Sequence, residues 1–188
     1  MGAATAKTVS RDERPAAAPR RGRRGPKADE LAESVKVDLG DEWLPSLYRE
    51  RVKTLRTRSF QLPAASKNLS DVEVQHTLLG VELRIGRRRV SCPDLATARY
   101  LAVFARAGCP EVAVPYDITK ISRLADELER AWQRAVLLAD HLASGRTQAF
   151  RTRLKKFIVE LARAEIVAEG AGAAVPAFNQ NTRQRRRG

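Results

Sequence analysis

Arg84, Arg87, Arg88 and Arg89 crowd one short segment, and further arginine runs lie at Arg20, Arg21, Arg23, Arg24 and at Arg183, Arg185, Arg186, Arg187. A guanidinium is permanently charged and its planar fork matches two phosphate oxygens at once, so the chemistry these runs offer is anion binding rather than bond making. Groups able to make or break bonds are sparse. The two histidines, His76 and His141, are far apart in sequence. Cys92 and Cys109 are each followed by proline and lack the paired spacing of a zinc site or a redox dithiol. Asp94 and Asp117 stand where helices should begin, and capping accounts for both. The chain has no glycine-rich phosphate loop, no G-x-G-x-x-G and no H-x-x-x-H. The expectation is a non-enzymatic protein with no metal and no cofactor.

The charge is unevenly placed. Of a formal net charge of +13, residues 1–28 supply eight Lys/Arg against two Asp/Glu and residues 183–188 supply four against none, so the ends carry +10 and residues 29–182 about +3. A near-neutral body with two basic ends is an arrangement suited to a polyanion. The N-terminal composition also invites a transit-peptide reading, against which stand Asp12 and Glu13. Aromatic residues make up 5% of the chain, too few for a surface that stacks unpaired bases. Any nucleic-acid contact should therefore fall on phosphates and carry little sequence preference. That partner could be RNA or DNA.

The length of 188 residues and the hydrophobic content of 43% suit one domain. Residues 1–27 have no periodic apolar positions and are expected to be a disordered basic tail, with 171–188 a flexible basic tail at the other end. The body, 28–170, divides into a helical part at 28–60, a hairpin-helix-strand unit at 72–116 and a long helical hairpin at 117–170. In the first part Asp41 is expected to cap a helix carrying Leu44, Leu47, Tyr48, Val52 and Leu55 on one side. Arg51 falls among those apolar positions, where it must snorkel, pair with a carboxylate or meet a partner. Residues 62–71 read as a connection.

The sharpest local expectation concerns the arginine hairpin. Val81, Leu83 and Ile85 alternate with Glu82 and Arg84, and Gly86-Arg87 is a two-residue turn with glycine first. Turn length then fixes register, pairing Ile85 with Arg88, Arg84 with Arg89 and Leu83 with Val90. The outward face would set Arg84 against Arg89 with only Glu82 to compensate, a repulsion that an anion would relieve. The same arginines could equally serve as a charged edge that discourages strand-to-strand association. Ser91 and Asp94 resemble a capping box for a mostly apolar helix from Leu95 to Ala107, followed by a short strand at Val112–Val114. From Val81 to Val114 the order hairpin, helix, strand resembles the start of ubiquitin-like β-grasp folds, without a motif that implies an activity.

Two helices follow. Ile121, Leu124, Leu128, Ala131, Ala135, Leu138 and Leu142 share a three-four spacing, as do Phe150, Leu154, Phe157, Leu161, Ala164 and Ala168, with Ser144-Gly145 between. So short a connection predicts an antiparallel hairpin with a coiled-coil-like seam. Trp132, Val136, Ile158, Val159, Ile166 and Val167 widen the stripe, so the α+β unit, a second copy or another subunit must cover them. Arg151, Arg153, Lys155 and Lys156 form a further basic cluster that helical geometry spreads around the stripe.

The sequence thus predicts a predominantly α, α+β protein, cytoplasmic and without a membrane span. Its expected role is binding nucleic acid through Arg20, Arg21, Arg23, Arg24, Arg185, Arg186 and Arg187 in the tails, and through Arg84, Arg87 and Arg89 in the hairpin. The competing expectation is a scaffold or accessory subunit, homo-oligomeric or part of a larger assembly, joined through the long helices.

Overall fold

The computed structural model describes residues 26–63 and 72–171. Helix α1 (Ala28–Leu39) leads through a short 3-10 turn into α2 (Leu44–Leu47), which continues as a π-helical turn over Tyr48–Val52. Strands β1 (Thr57–Gln61), β2 (Val72–Thr77), β3 (Gly80–Ile85) and β4 (Arg88–Cys92) precede α3 (Leu95–Arg106). Strand β5 (Glu111–Pro115) and the long helices α4 (Ile118–Leu142) and α5 (Gln148–Glu169) complete the mixed α+β architecture. The expected C-terminal helical pair is present, with Asp117 capping α4 through Thr119 N and Thr147 capping α5 through Phe150 N.

Helix α3 is the centre of the core. Ala98, Tyr100, Leu101, Ala102, Val103 and Phe104 are all essentially inaccessible, which a helix apolar on nearly every side requires. Asp94 caps α3 directly, accepting from Thr97 N at 2.7 Å, while Ser91 belongs to β4, so the cap is a single aspartate rather than a capping box.

Two small antiparallel sheets flank this helix, and their composition differs from the expected unit. The arginine hairpin gains a third strand, β2, giving the order β2-β3-β4. Strand β5 pairs instead with β1, so hairpin and strand belong to different sheets and the β-grasp-like order does not build a shared one. Strand β1 also corrects the helical expectation for 28–60: helix ends at the π turn, where Tyr48 and Val52 are buried, and Thr57–Gln61 is extended and paired with β5. The 3-10 turn at Gly40–Glu42 likewise displaces Asp41 from the cap, a position taken by Trp43.

The free edge of β5 is closed by tyrosine hydroxyls. Tyr48 Oη accepts from Ala113 N at 2.9 Å and donates to Gly170 O at 2.9 Å, and Tyr100 Oη donates to Ala113 O at 2.6 Å. These bonds satisfy buried backbone groups that would otherwise be orphaned. They also tie the C-terminal end of α5 to the sheet.

The second core explains what covers the long helices. Ala28, Ala32 and Val35 of α1 pack with Trp43, Ala135, Ala139, Leu154, Ile158 and Ala162. On the other side Trp132 and Ile166 are buried in the cluster built around α3, with Val136 and Val159 partly buried against the same cluster. Of the widening residues, Val167 remains half exposed, and on α4 Leu137 is exposed as well.

Candidate nucleic-acid interface

The register of the arginine hairpin is the one that its turn dictates. Arg84 lies opposite Arg89, Leu83 opposite Val90 and Ile85 opposite Arg88. Gly86 has a φ of 59° and no non-glycine residue among those described has positive φ, so the turn is of the glycine-first type II′ class. Leu83 and Ile85 face the core, and Arg84, Arg87 and Arg89 face outward and are exposed.

Strand β2 changes the electrostatics of that face. Glu73 sits directly across from Arg84, and its carboxylate is 3.8 Å from the Arg84 guanidinium. Arg89 is 3.7 Å from Glu82, and Arg84 Nε also donates to Gly86 O at 3.1 Å. The outward face is therefore a lattice of two arginines and two glutamates, so the uncompensated repulsion expected from β3 and β4 alone is not present. Arg87 at the turn and Arg88 beside it stay exposed and have no carboxylate within 4 Å among the described residues.

The remaining predicted contacts, Arg20, Arg21, Arg23, Arg24, Arg185, Arg186 and Arg187, lie outside the described residues. The first elements of the fold hold the C-terminal end of α5 by several contacts. Lys36 contacts Glu165 at 2.6 Å, Trp43 Nε1 donates to Glu165 at 3.0 Å, Arg49 meets Glu169 at 3.5 Å and Tyr48 reaches Gly170. Lys36 of α1, Trp43 and the π turn thus converge on the last turns of α5.

Helix α5 sorts its charges by side. Glu165 and Glu169 are used inward, on Lys36, Trp43 and Arg49. The hydrogen bond from Lys36 to Glu165 is the main cause that raises the lysine's pKa above its ordinary value. Arg153, Lys156 and Arg163 are exposed and recur along one ridge at helical spacing. The partly buried Glu160 on that ridge meets Lys156 at 3.6 Å. Among the described residues no carboxylate lies within 4 Å of Arg153 or Arg163. Lys155 departs from this row and pairs with Asp140 at 2.9 Å. The sequence cluster at 151–156 signalled half of this ridge; Arg163, two helical turns on, needed the helix axis to be recognised as its continuation.

Cys92 and Cys109 are unpaired and buried, and burial pushes the Cys109 thiol up to about 12, the reverse of a reactive thiolate. His76 and His141 are exposed, and among the described residues no group of three or more His, Cys, Asp or Glu could hold a metal. Among the same residues no helix is long and apolar enough to cross a membrane. No protein-family model, curated protein or solved structure matches the chain.

Proposed function

We propose that this protein is a non-enzymatic nucleic-acid-associated protein that binds the phosphate backbone, its basic ends supplying most of the contact. The observation that carries this reading is the segregation of charge: +10 of the +13 lies in residues 1–28 and 183–188, on a body that is close to balanced. Such ends bind by displacing counterions, so affinity should fall steeply with salt and differ little between sequences. Of the hairpin arginines, Arg87 contributes most readily, because Arg84 and Arg89 already have carboxylates. The two buried, unpaired cysteines suit a reducing compartment, and we assign the protein to the cytoplasm.

The test is a salt titration of binding to a random duplex DNA and a structured RNA, with the wild-type chain and a full-length variant in which Arg20, Arg21, Arg23, Arg24, Arg185, Arg186 and Arg187 are serine. At about 0.9 in slope per lost phosphate contact, the variant's log-log salt dependence should flatten by about 6. Equal slopes would refute the role of the ends. Absence of wild-type binding near 0.15 M salt would favour the assembly reading, for which exposed Leu137 and Val167 remain as surface.

A further inference from the structure

We infer that, independently of the nucleic-acid reading, the cavity between Arg51 and the start of α4 binds a small amphipathic organic anion, one acid group on a short apolar body. Arg51 lies among apolar positions and does not pair: among the described residues no carboxylate lies within 4 Å of it. It belongs to the π turn Tyr48–Val52, where Tyr48 and Val52 are buried and Arg51 is exposed. Single π-helical turns of this kind recur at functional sites.

Two cavities meet at Arg51, and their charges differ. The first, of about 340 Å³, is lined by Asp41, Glu42, Glu50 and Glu127 against Arg51, Arg130 and Arg134, so it offers an acid group no net attraction. The second, of about 290 Å³, sets Arg51, Lys120 and Arg123 around Leu55 and Leu124, with Glu127 as the one carboxylate in its lining. That glutamate is held by Arg123 at 2.8 Å. Lys120 has Asp117 at 3.8 Å, outside the lining and already accepting from Thr119. Arg51 and Lys120 are thus the charges left for a ligand.

On α4, Lys120, Leu124 and Glu127 recur at helical spacing and share one side, so the ammonium and the buried leucine face the same space. A guanidinium fork and an ammonium beside two leucines bind an anion by its head and select it by its body. The volume is at the small end for ligand sites and suits a single ring or a short alkyl chain. A bare inorganic anion would leave the leucines unused, and a neutral body would leave Arg51 and Lys120 without a counter-charge. A carboxylate and a phosphate monoester both satisfy the head site.

The experiment follows the amide shifts of isotope-labelled full-length protein titrated at constant ionic strength with phenyl phosphate, benzoate, inorganic phosphate and benzyl alcohol. Saturable shifts centred on Leu55, Lys120 and Leu124 are expected with phenyl phosphate or benzoate, and the tighter of the two identifies the acid group. Inorganic phosphate and benzyl alcohol should each bind at least about tenfold more weakly, since each lacks half of the contact. Arg51→Gln should weaken the preferred anion at least about tenfold. Arg130→Gln, in the first cavity alone, should leave its affinity unchanged. Unaltered shifts elsewhere verify that both variants fold. No saturable shift with either aromatic anion, shifts centred elsewhere, equal affinity for inorganic phosphate or benzyl alcohol, or equal loss in the two variants overturns the site.

Discussion

The β2-β3-β4 sheet and helix α5 both carry arginines close together in sequence, yet the fold treats them oppositely. On the sheet, each of two outward arginines meets a carboxylate: Glu73 for Arg84 and Glu82 for Arg89. On α5, two of the helix's carboxylates are drawn into the body by Lys36, Trp43 and Arg49, leaving the outer ridge predominantly cationic. A run of arginines therefore has no electrostatic meaning until the neighbouring element is known. In the first case β3 itself and the strand just before it supply the acids; in the second a helix distant in sequence draws them inward.

The comparison makes Glu165 and Arg163 separable, although they are close neighbours on one helix. Glu165 accepts from Trp43 Nε1, whose side chain is 1% exposed, so Glu165→Ala should leave a buried indole N–H without a partner and cost about 1–3 kcal/mol in urea unfolding. Its duplex-binding salt slope should stay that of the wild type. Arg163→Ala should show the reverse, with unchanged stability and a slope flatter by about 1. If Glu165→Ala unfolds no more readily than wild type, the inward anchoring of α5 is wrong.

The C-terminal end of α5 offers a second test, through Tyr48 and pH. Burial pushes the Tyr48 hydroxyl from 10.0 up to about 12, and the Cys109 thiol from 9.0 up to about 12. Both groups hold their protons more tightly folded than unfolded. The stability they contribute is complete below pH 9, and it is lost as pH rises from there through 12. Thermal midpoints measured in steps across that window should fall continuously. Tyr48→Phe should lower stability at neutral pH by about 1–3 kcal/mol, because Ala113 N loses its acceptor inside the protein. It should also make the fall above pH 10 shallower, leaving the contributions of Cys109, Cys92 and Tyr100, whose protons burial also holds. An alkaline profile identical in slope to wild type would show that Tyr48 ionisation is not linked to folding.

How much of this could be read beforehand follows from where each signal resides. The hairpin register was legible because Gly86-Arg87 is a local device that determines pairing on its own. Helices α3, α4 and α5 were legible because their apolar spacing and caps lie within each segment, as with Asp117 and Thr147. Strand β1 was not, since Thr57–Gln61 offers only Phe60 as a large apolar residue and owes its form to pairing with β5, more than fifty positions later. Strand β2 did carry a signal, Val72 and Val74 alternating with Glu73 and Gln75, but its two-residue connection to β3, Leu78-Leu79, lacks the Asn, Asp or Gly that marks a hairpin turn. That omission misplaced the charge balance of the hairpin. The acids that empty the outer ridge of α5 were equally hidden, because Lys36 and Glu165 are joined only by the fold. The arginines of the two ends were visible from composition, and lie outside the described residues.

The smallest expected effect bears most directly on the contrast between sheet and helix. Considered alone, β3 and β4 imply that Arg84→Ser/Arg89→Ser should raise thermal stability by removing two facing cations. With β2 in place the same change leaves Glu73 and Glu82 without their partners, so the sign reverses. The arginine ends of these pairs are solvent-screened, with Arg84 and Arg89 side chains 51% and 68% exposed against 58% for Glu73 and 21% for Glu82, and such contacts are worth about 0.2–1 kcal/mol each. The double variant should therefore melt at the same temperature as wild type or slightly below it, and its salt slope for duplex binding should not change. Glu73→Gln/Glu82→Gln completes the argument from the other side. It leaves the arginines in place, removes their carboxylates, and should steepen the slope by up to about 2 if the freed guanidiniums then reach phosphate. A higher melting temperature for Arg84→Ser/Arg89→Ser would mean that the cross-strand glutamates do not compensate the arginines in solution, and the distinction between the two basic surfaces would lose its electrostatic basis.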